Sequence, residues 1–228
     1  TYGAGGNTQV LTQEIVTRIQ KETDLLAMAH MTCVGQTQED IHQILSRLEH
    51  VGINNVIALR GDPPRGQSSF VPVSGGFSHA QELIEYIRRH FGFGIAAACY
   101  PEGHTESRDL NTDIEYTKRK LEAGAEFLIT QLFYDNEYFY SFVDRARRVG
   151  IHVPILAGVL PILSRDQILR FTSLCGATIP AKLRQRLDDL GDDSKAVRDL
   201  GIHLATSQVR DLWDNGVDGV HFYSLNRS

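Results

Sequence analysis

The stretch Asn55-Val56-Ile57-Ala58-Leu59-Arg60-Gly61-Asp62-Pro63-Pro64 decides how this chain is read. After Asn55, the residues Val56-Ile57-Ala58-Leu59 form an apolar run with strand character. The run stops at Arg-Gly-Asp, and two prolines then forbid its continuation, because proline lacks an N–H and biases the residue before it. Continuous rather than alternating apolarity suits a parallel strand buried on both faces. The same design recurs at residues 25–30, 94–100, 127–133, 154–160 and 219–223. Amphipathic helical patterns lie between these runs, at 8–21, 37–50, 80–90, 112–123, 136–149 and 165–173, with two further helices at 180–190 and 194–214. Thr37 to Asp40 and Ser164 to Gln167 have capping-box form, and "HVGINN", "EAGAEF", "RVGIHVP" and "DNGVDG" each place glycine at a helix exit.

Such regular alternation implies right-handed βαβ units. An open dinucleotide-binding sheet would carry G-x-G-x-x-G after a strand. The nearest candidate, Gly3-Ala4-Gly5-Gly6, has the wrong spacing. A barrel instead gathers chemistry at the C-terminal ends of many strands. Here His30, Arg60 with Asp62, Tyr100 with Glu102 and His104, Gln131, and Tyr223 with Arg227 all stand at such ends. The expectation is an α/β protein, a (β/α)8 TIM barrel. Six complete strands are visible where eight are needed, and Thr1 reads as the end of another. Residues 1–228 therefore read as a single catalytic barrel domain, incomplete at both ends.

The bulk properties narrow the class. A net charge of -5 over 228 residues disfavours a nucleic-acid binder. The basic cluster Arg145-Ala146-Arg147-Arg148 has no interleaved aromatic platform and reads as a solvated helix face. Cys33, Cys99 and Cys175 are odd in number and scattered, unlike a disulfide framework or a zinc site, and no metal is expected. No apolar run approaches the ~18 residues of a membrane span, and the N-terminus lacks signal-peptide design. The chain reads as soluble and cytoplasmic.

Each strand-end residue has a plain reading beside a functional one. Asp62 fits a strand-terminating turn, and His30 fits a strand-end histidine satisfied by backbone. Asp113 and Lys120 stand two helical turns apart on one face, which is solvated by default. Gln131 lies inside the apolar run "FLITQLFY", where an unpaired amide would cost ~1–3 kcal/mol, so it must meet something polar. A core hydrogen bond or a ligand edge with alternating donors and acceptors would both do. Tyr100 offers a flat face for stacking, and the turn "YPEGHTES", which includes Ser107, could offer backbone N–H groups to a pyrophosphate.

The motifs "AHMTC", "ALRGDPP", "CYPEGH", "ITQLFYD" and "HFYSLNR" together resemble those of the 5,10-methylenetetrahydrofolate reductase family, in order and spacing across nearly the whole chain. The resemblance implies a barrel that holds FAD noncovalently and reduces 5,10-methylenetetrahydrofolate to 5-methyltetrahydrofolate with NADH or NADPH, by a ping-pong hydride transfer. It implies that Arg60, Gly61 and Asp62 contact the flavin, with Asp62 near its pyrimidine side and close to the folate. Thr1, His30, Tyr100, His104 and Ser107 belong to the same cofactor site, as do Asp113 and Lys120. His79 and Ala80 stand where the family commonly has Tyr-Ala near the adenine half. Gln131 is implied in folate and nicotinamide binding. Gln167, Tyr223 and Arg227 are implied in folate binding, and Phe171 could stack on the aminobenzoate ring or the nicotinamide. Asp62 and Gln131 would carry the catalysis.

Two departures stand out: His79 replaces the usual tyrosine, and "HTES" replaces the frequent "HPEA". The family's general acid is a glutamate on a first strand that these residues do not include. Glu102 is the nearest strand-end carboxylate, but the resemblance gives it no such role. Rival readings are a noncatalytic flavin- or folate-binding subunit of a larger one-carbon complex and a pterin-dependent methyltransferase barrel. The family implies a homo-oligomer; the choice of NADH or NADPH is not written in any visible motif.

Overall fold

Strands β1 (Met28–Thr32), β2 (Asn55–Leu59), β3 (Gly94–Cys99), β4 (Phe127–Thr130), β5 (Ile155–Val159) and β6 (Gly219–Phe222) alternate with helices along the chain. The helices are α1 (Thr8–Glu22), α2 (Gln38–His50), α3 (Ala80–His90), α4 (Leu110–Glu122), α5 (Asn136–Arg148), α6 (Arg165–Cys175), α7 (Ala181–Leu190) and α8 (Ser194–Asp214). This computed structural model describes residues 8–63 and 69–224, with side chains in α1 from residue 13 onward. Thr1 and Arg227 lie outside the described residues. The chain forms two compact units, residues 1–98 with 118–127, and residues 99–117 with 128–228.

In the first unit β2 lies between β1 and β3, all parallel, with Met28 opposite Asn55 and Asn55 opposite Gly94. α2 shows why the helices form where they do. The Thr37 side chain accepts from the Asp40 N–H while the Asp40 carboxylate accepts from the Thr37 N–H, a complete capping box. Ile41, Ile44, Leu45 and Leu48 then recur at helical spacing and are buried. Gly52 follows with φ 84°, the left-handed exit that glycine adopts without strain. The other three helix-exit motifs end on left-handed glycines in the same way, at 124, 150 and 216.

In the second unit β5 lies between β4 and β6, again parallel, with Leu128 opposite Ile155 and Leu156 opposite Gly219. Its additional helices build a core of their own from Ile162, Ile168, Leu183, Leu187, Val197 and Leu200. α8 can approach because Gly201 has no side chain; a Cβ there would sit on the Ile162 carbonyl oxygen.

Three expectations are corrected. β1 spans Met28–Thr32 rather than beginning at Leu25. Thr23 and Gln20 engage the Leu25 and Ala27 N–H groups and hold the α1 exit in a bend, leaving Leu25 and Leu26 66% and 84% exposed. His30 is consequently mid-strand, opposite Ile57, and not at a strand end. Second, β1 and β2 are fully buried on one face only, through Ala29, Met31, Val56 and Ala58, whereas His30 and Ile57 lie on a half-open face. Third, the basic cluster is not simply solvated. Arg145 donates to the Pro101 carbonyl, and Arg147 donates to the Ile151 and Val153 carbonyls and pairs with Asp218 at 3.5 Å.

Candidate active site

In the first unit the polar residues collect beyond the C-terminal end of β2. The Arg60 carbonyl accepts from the Cys33 N–H at 3.0 Å, tying the lip of β2 to the end of β1. The Arg60 guanidinium lies over the Phe70 ring, 5.3 Å from its centroid, a cation–π contact that orients it. Gly61 has φ 87°, and a Cβ there would stand 2.5 Å from Val34 Cγ2 and 3.2 Å from Thr32 Cβ. Both backbone and space therefore require glycine. Asp62 follows, exposed, with its carboxylate in solvent. The Cys33 thiol contacts the Leu59 and His79 carbonyls, which brings the α3 N-terminus to the same strand ends. Burial, then Glu82, pushes that thiol up to about 12, so it stays protonated. His79 is the α3 N-cap, exposed, and its ring makes no cap hydrogen bond; Glu82 instead accepts from the Ser78 N–H. Ala80 opens the helix. The Lys120 ammonium donates to the Ala98 carbonyl near the end of β3.

In the second unit the turn after β3 folds around Asp113. This carboxylate is 4% exposed and accepts from the His104 N–H at 3.2 Å and the Ser107 hydroxyl at 2.9 Å. It is thus a buried organiser of the turn and not part of a solvated face. Tyr100 and His104 meet edge to face, ring centroids 4.7 Å apart. The turn's own N–H groups at Gly103, His104, Glu106 and Ser107 are all engaged internally. Side chains, more than these amides, are what the turn presents. Glu102, the strand-end carboxylate singled out in the sequence, accepts from the Thr178 N–H through both oxygens.

β4 stops at Thr130, so Gln131 stands just past the strand instead of within it. Its N–H donates to the Cys99 carbonyl, and its Oε1 accepts from the Leu132 N–H at 2.9 Å. The need for a polar partner is met on the oxygen side by local backbone. Thr130, fully buried, receives the Gly158 N–H on its hydroxyl and the Tyr223 phenol on its carbonyl, both at 2.8 Å. A Cβ on Gly158 would sit on the Thr130 carbonyl oxygen and 2.8 Å from Tyr223 Cε2. Burial raises the Tyr223 phenol well above its ordinary value. His221, which the sequence reading passed over, meets Tyr223 edge to face at 4.9 Å, and burial lowers its pKa, favouring the neutral ring. On α6, Gln167 Oε1 accepts from the Leu163 N–H at 2.7 Å while its own N–H donates to Ser164. Phe171 is half-buried one turn further along the same face.

The structure therefore gathers Tyr100, His104, Ser107 and Asp113 in one turn, and Thr130, Gly158, His221 and Tyr223 in another cluster. Nothing in the sequence signalled Thr130's role or Glu102's partner, because the groups they meet are distant in the chain. Among the described residues no group of histidines, cysteines and carboxylates could hold a metal ion, and no helix is long and apolar enough to cross a membrane. All three cysteines are free.

Parallel strands with crossover helices, carrying polar residues beyond strand ends, place the chain among α/β proteins of the enzyme-bearing kind. The family model described as Methylenetetrahydrofolate reductase matches residues 1–228, and the chain belongs to that family. It is 41% identical over 237 aligned residues to methylenetetrahydrofolate reductase (NADH) 1 of Zea mays, and 40% identical to the protein so named in Arabidopsis thaliana, covering 99% of this chain and 40% of each relative. It is 35% identical to 5,10-methylenetetrahydrofolate reductase of Escherichia coli (strain K12), covering 100% of this chain and 75% of that protein. The chain thus spans about two fifths of the length of the plant relatives. A solved structure, an uncharacterized protein from Clostridium thermocellum that binds two copies of 5-methyl-5,6,7,8-tetrahydrofolic acid, aligns at a TM-score of 0.49 and 16% identity. That alignment covers 100% of this chain and 86% of that one.

Proposed function

We propose that this chain is the flavin- and folate-binding catalytic part of a methylenetetrahydrofolate reductase, built as a (β/α)8 barrel. It reduces 5,10-methylenetetrahydrofolate to 5-methyltetrahydrofolate at the expense of NADH or NADPH. The observation that carries the reading is the family match over residues 1–228. The names of the plant relatives make NADH the first reductant to test.

The residues fit FAD. Gly61 lets the lip of β2 turn tightly against Val34 and Thr32, which sets the Arg60 and Asp62 side chains on either side of the turn. Arg60 and Asp62 flank it, and His30 would belong to the same site, as the resemblance implies also for Thr1, which lies outside the described residues. His79 and Ala80 would hold the adenine half, with the exposed imidazole stacking where the family has tyrosine. The turn bearing Tyr100, His104 and Ser107, with Asp113 and Lys120, would hold the pyrophosphate and ribose through side chains. When bound, FAD supplies a hydride carrier that two substrates can meet in turn. Asp62 would set a carboxylate beside the carrier, where it would tune the flavin electrostatically and interact with the pterin. Gln131 turns its amide nitrogen to the pterin edge while its oxygen stays on Leu132. Gln167, Phe171 and Tyr223 would orient the folate; Arg227, implied by the resemblance to serve the glutamate tail, lies outside the described residues. Ring opening of the substrate needs a proton on the departing nitrogen. The family resemblance gives that role to a glutamate on the family's first strand, and not to Glu102, which is engaged with Thr178. The free cysteines support a reducing, cytoplasmic location, and the family supports a homo-oligomer.

The test is spectroscopic. The purified protein should be yellow, bleach with NADH or NADPH without oxygen, and recolour on addition of methylenetetrahydrofolate. A protein with full flavin occupancy that neither nucleotide bleaches refutes the reductase and leaves a noncatalytic flavin-binding subunit. A colourless protein that binds folate and methylates a partner would mark a pterin-dependent methyltransferase.

A further inference from the structure

Within the second unit, the turn after β3 and the loop after α6 are fastened together at one point. Both Glu102 carboxylate oxygens accept from the Thr178 N–H, at 3.1 and 3.0 Å, across 76 positions of sequence. Beside this contact Gly176 ends α6 in the left-handed conformation, φ 74°, and packs so closely on the turn that a Cβ would stand 2.8 Å from Thr105 Cγ2. One residue beyond Thr178, the partly buried Ile179 packs against the cluster of Ile168, Leu183, Leu187, Val197 and Leu200 on α6, α7 and α8. At the other end, Arg145 donates to the Pro101 carbonyl and Asp113 holds the His104 N–H and the Ser107 hydroxyl. Each side of the clasp is therefore anchored in its own hydrogen bonds or core, and Glu102 is the charged link between them. A hydrogen bond to a carboxylate is stronger than one between neutral groups.

We infer that Glu102 is a positioning residue that makes the cofactor-side turn 100–107 and the substrate-side helix α6 move as one body. This rests on the functional reading above, in which Tyr100, His104 and Ser107 serve the cofactor while Gln167 and Phe171 of α6 serve the folate. The carboxylate touches neither ligand. Its consequence is that filling the cofactor turn orders α6, so the folate site is complete only when the cofactor is in place.

The experiment compares the full-length protein with Glu102→Ala and Glu102→Gln, the latter keeping one acceptor oxygen at the same reach. Hydrogen exchange is followed at residues 176–180, with and without FAD, alongside steady-state kinetics. In the wild type FAD should slow exchange at both 101–107 and 176–180. In Glu102→Ala it should slow only 101–107, and KM for methylenetetrahydrofolate should rise about 10-fold with kcat changed far less, the size expected for one charged hydrogen bond. Glu102→Gln should restore most of both. A Thr178 amide that exchanges equally fast in wild type and Glu102→Ala without FAD overturns the clasp, whatever the protein binds. FAD protection at 176–180 that persists in Glu102→Ala, or a KM unchanged in it, overturns the coupling. A wild type that takes up no FAD refutes the functional reading instead, and the Thr178 exchange rate still decides the clasp.

Discussion

Gly158→Ala is the most informative single substitution in the second unit. Gly158 donates its N–H to the Thr130 hydroxyl, and Tyr223 donates its phenol to the Thr130 carbonyl, both at 2.8 Å inside the strand layer. The new methyl group would occupy the Thr130 carbonyl oxygen's position and press on Tyr223 Cε2. Forcing one carbon into a filled core costs ~1–3 kcal/mol, and breaking one of the two hydrogen bonds adds ~1 kcal/mol. The sum, about 2–4 kcal/mol, corresponds to a fall in Tm of about 10 °C for a chain of this size. Thermal and urea unfolding, followed by far-ultraviolet circular dichroism and Trp213 fluorescence, would measure it. Tyr223→Phe should cost ~1–3 kcal/mol by removing a donor from a buried carbonyl. The two costs should fall short of additive when combined, because both act at the Thr130 carbonyl. A Gly158→Ala protein within ~0.5 kcal/mol of wild type, the range of neutral surface changes, would refute the close approach of β4, β5 and Tyr223.

Other consequences can be checked independently. Asp113→Ala removes the acceptor of the His104 N–H and the Ser107 hydroxyl, so FAD affinity should fall about 10- to 100-fold by flavin titration, with Asp113→Asn falling less. Asp62→Asn should bind FAD nearly as wild type yet slow the folate half-reaction about 10-fold or more in stopped-flow measurements; slowing of the nicotinamide half-reaction alone would place Asp62 wrongly. Burial holds the Cys33 thiol above its unfolded value, so the native state keeps a proton that the unfolded chain releases. Its contribution is complete below pH 9 and is lost as pH rises toward about 12, and Cys33→Ala should flatten the decline in unfolding free energy between pH 8.5 and 10, roughly the onset of thiol titration. A thiol reagent at pH 8 should label the half-buried Cys175 before Cys33 and Cys99, read by peptide mass.

The fold was legible because its signals are local. The capping box of Thr37 and Asp40, the apolar spacing of α2 and the glycine exits each depend on residues within a few positions of one another. The start of β1 was misread because Leu25 and Leu26 look like strand, while Thr23 and Gln20 bind the neighbouring backbone as a helix exit. Apolarity alone could not reveal that competition. At the site, residue types were legible but their partners were not. Asp113 looked like surface charge, because its burial depends on the turn at 104–107 folding back over it. The arginines of the basic cluster looked solvated because carbonyl groups, which every residue has, leave no trace in a sequence. Glu102 had no local signal, since its partner Thr178 is a backbone N–H 76 positions away.

The glycine at the lip of β2 carries a lesson about how this protein can change. Gly61 is pinned twice, by a left-handed backbone and by Val34 pressing where a side chain would begin. The flanking side chains point away from that squeeze: Arg60 lies over Phe70 and Asp62 is exposed. Variation that alters ligand preference while leaving the fold intact is therefore channelled to the two flanking positions. The lip works like a dial with a fixed spindle: its settings lie on either side, and a library that randomises all three residues would lose most of its members at the centre.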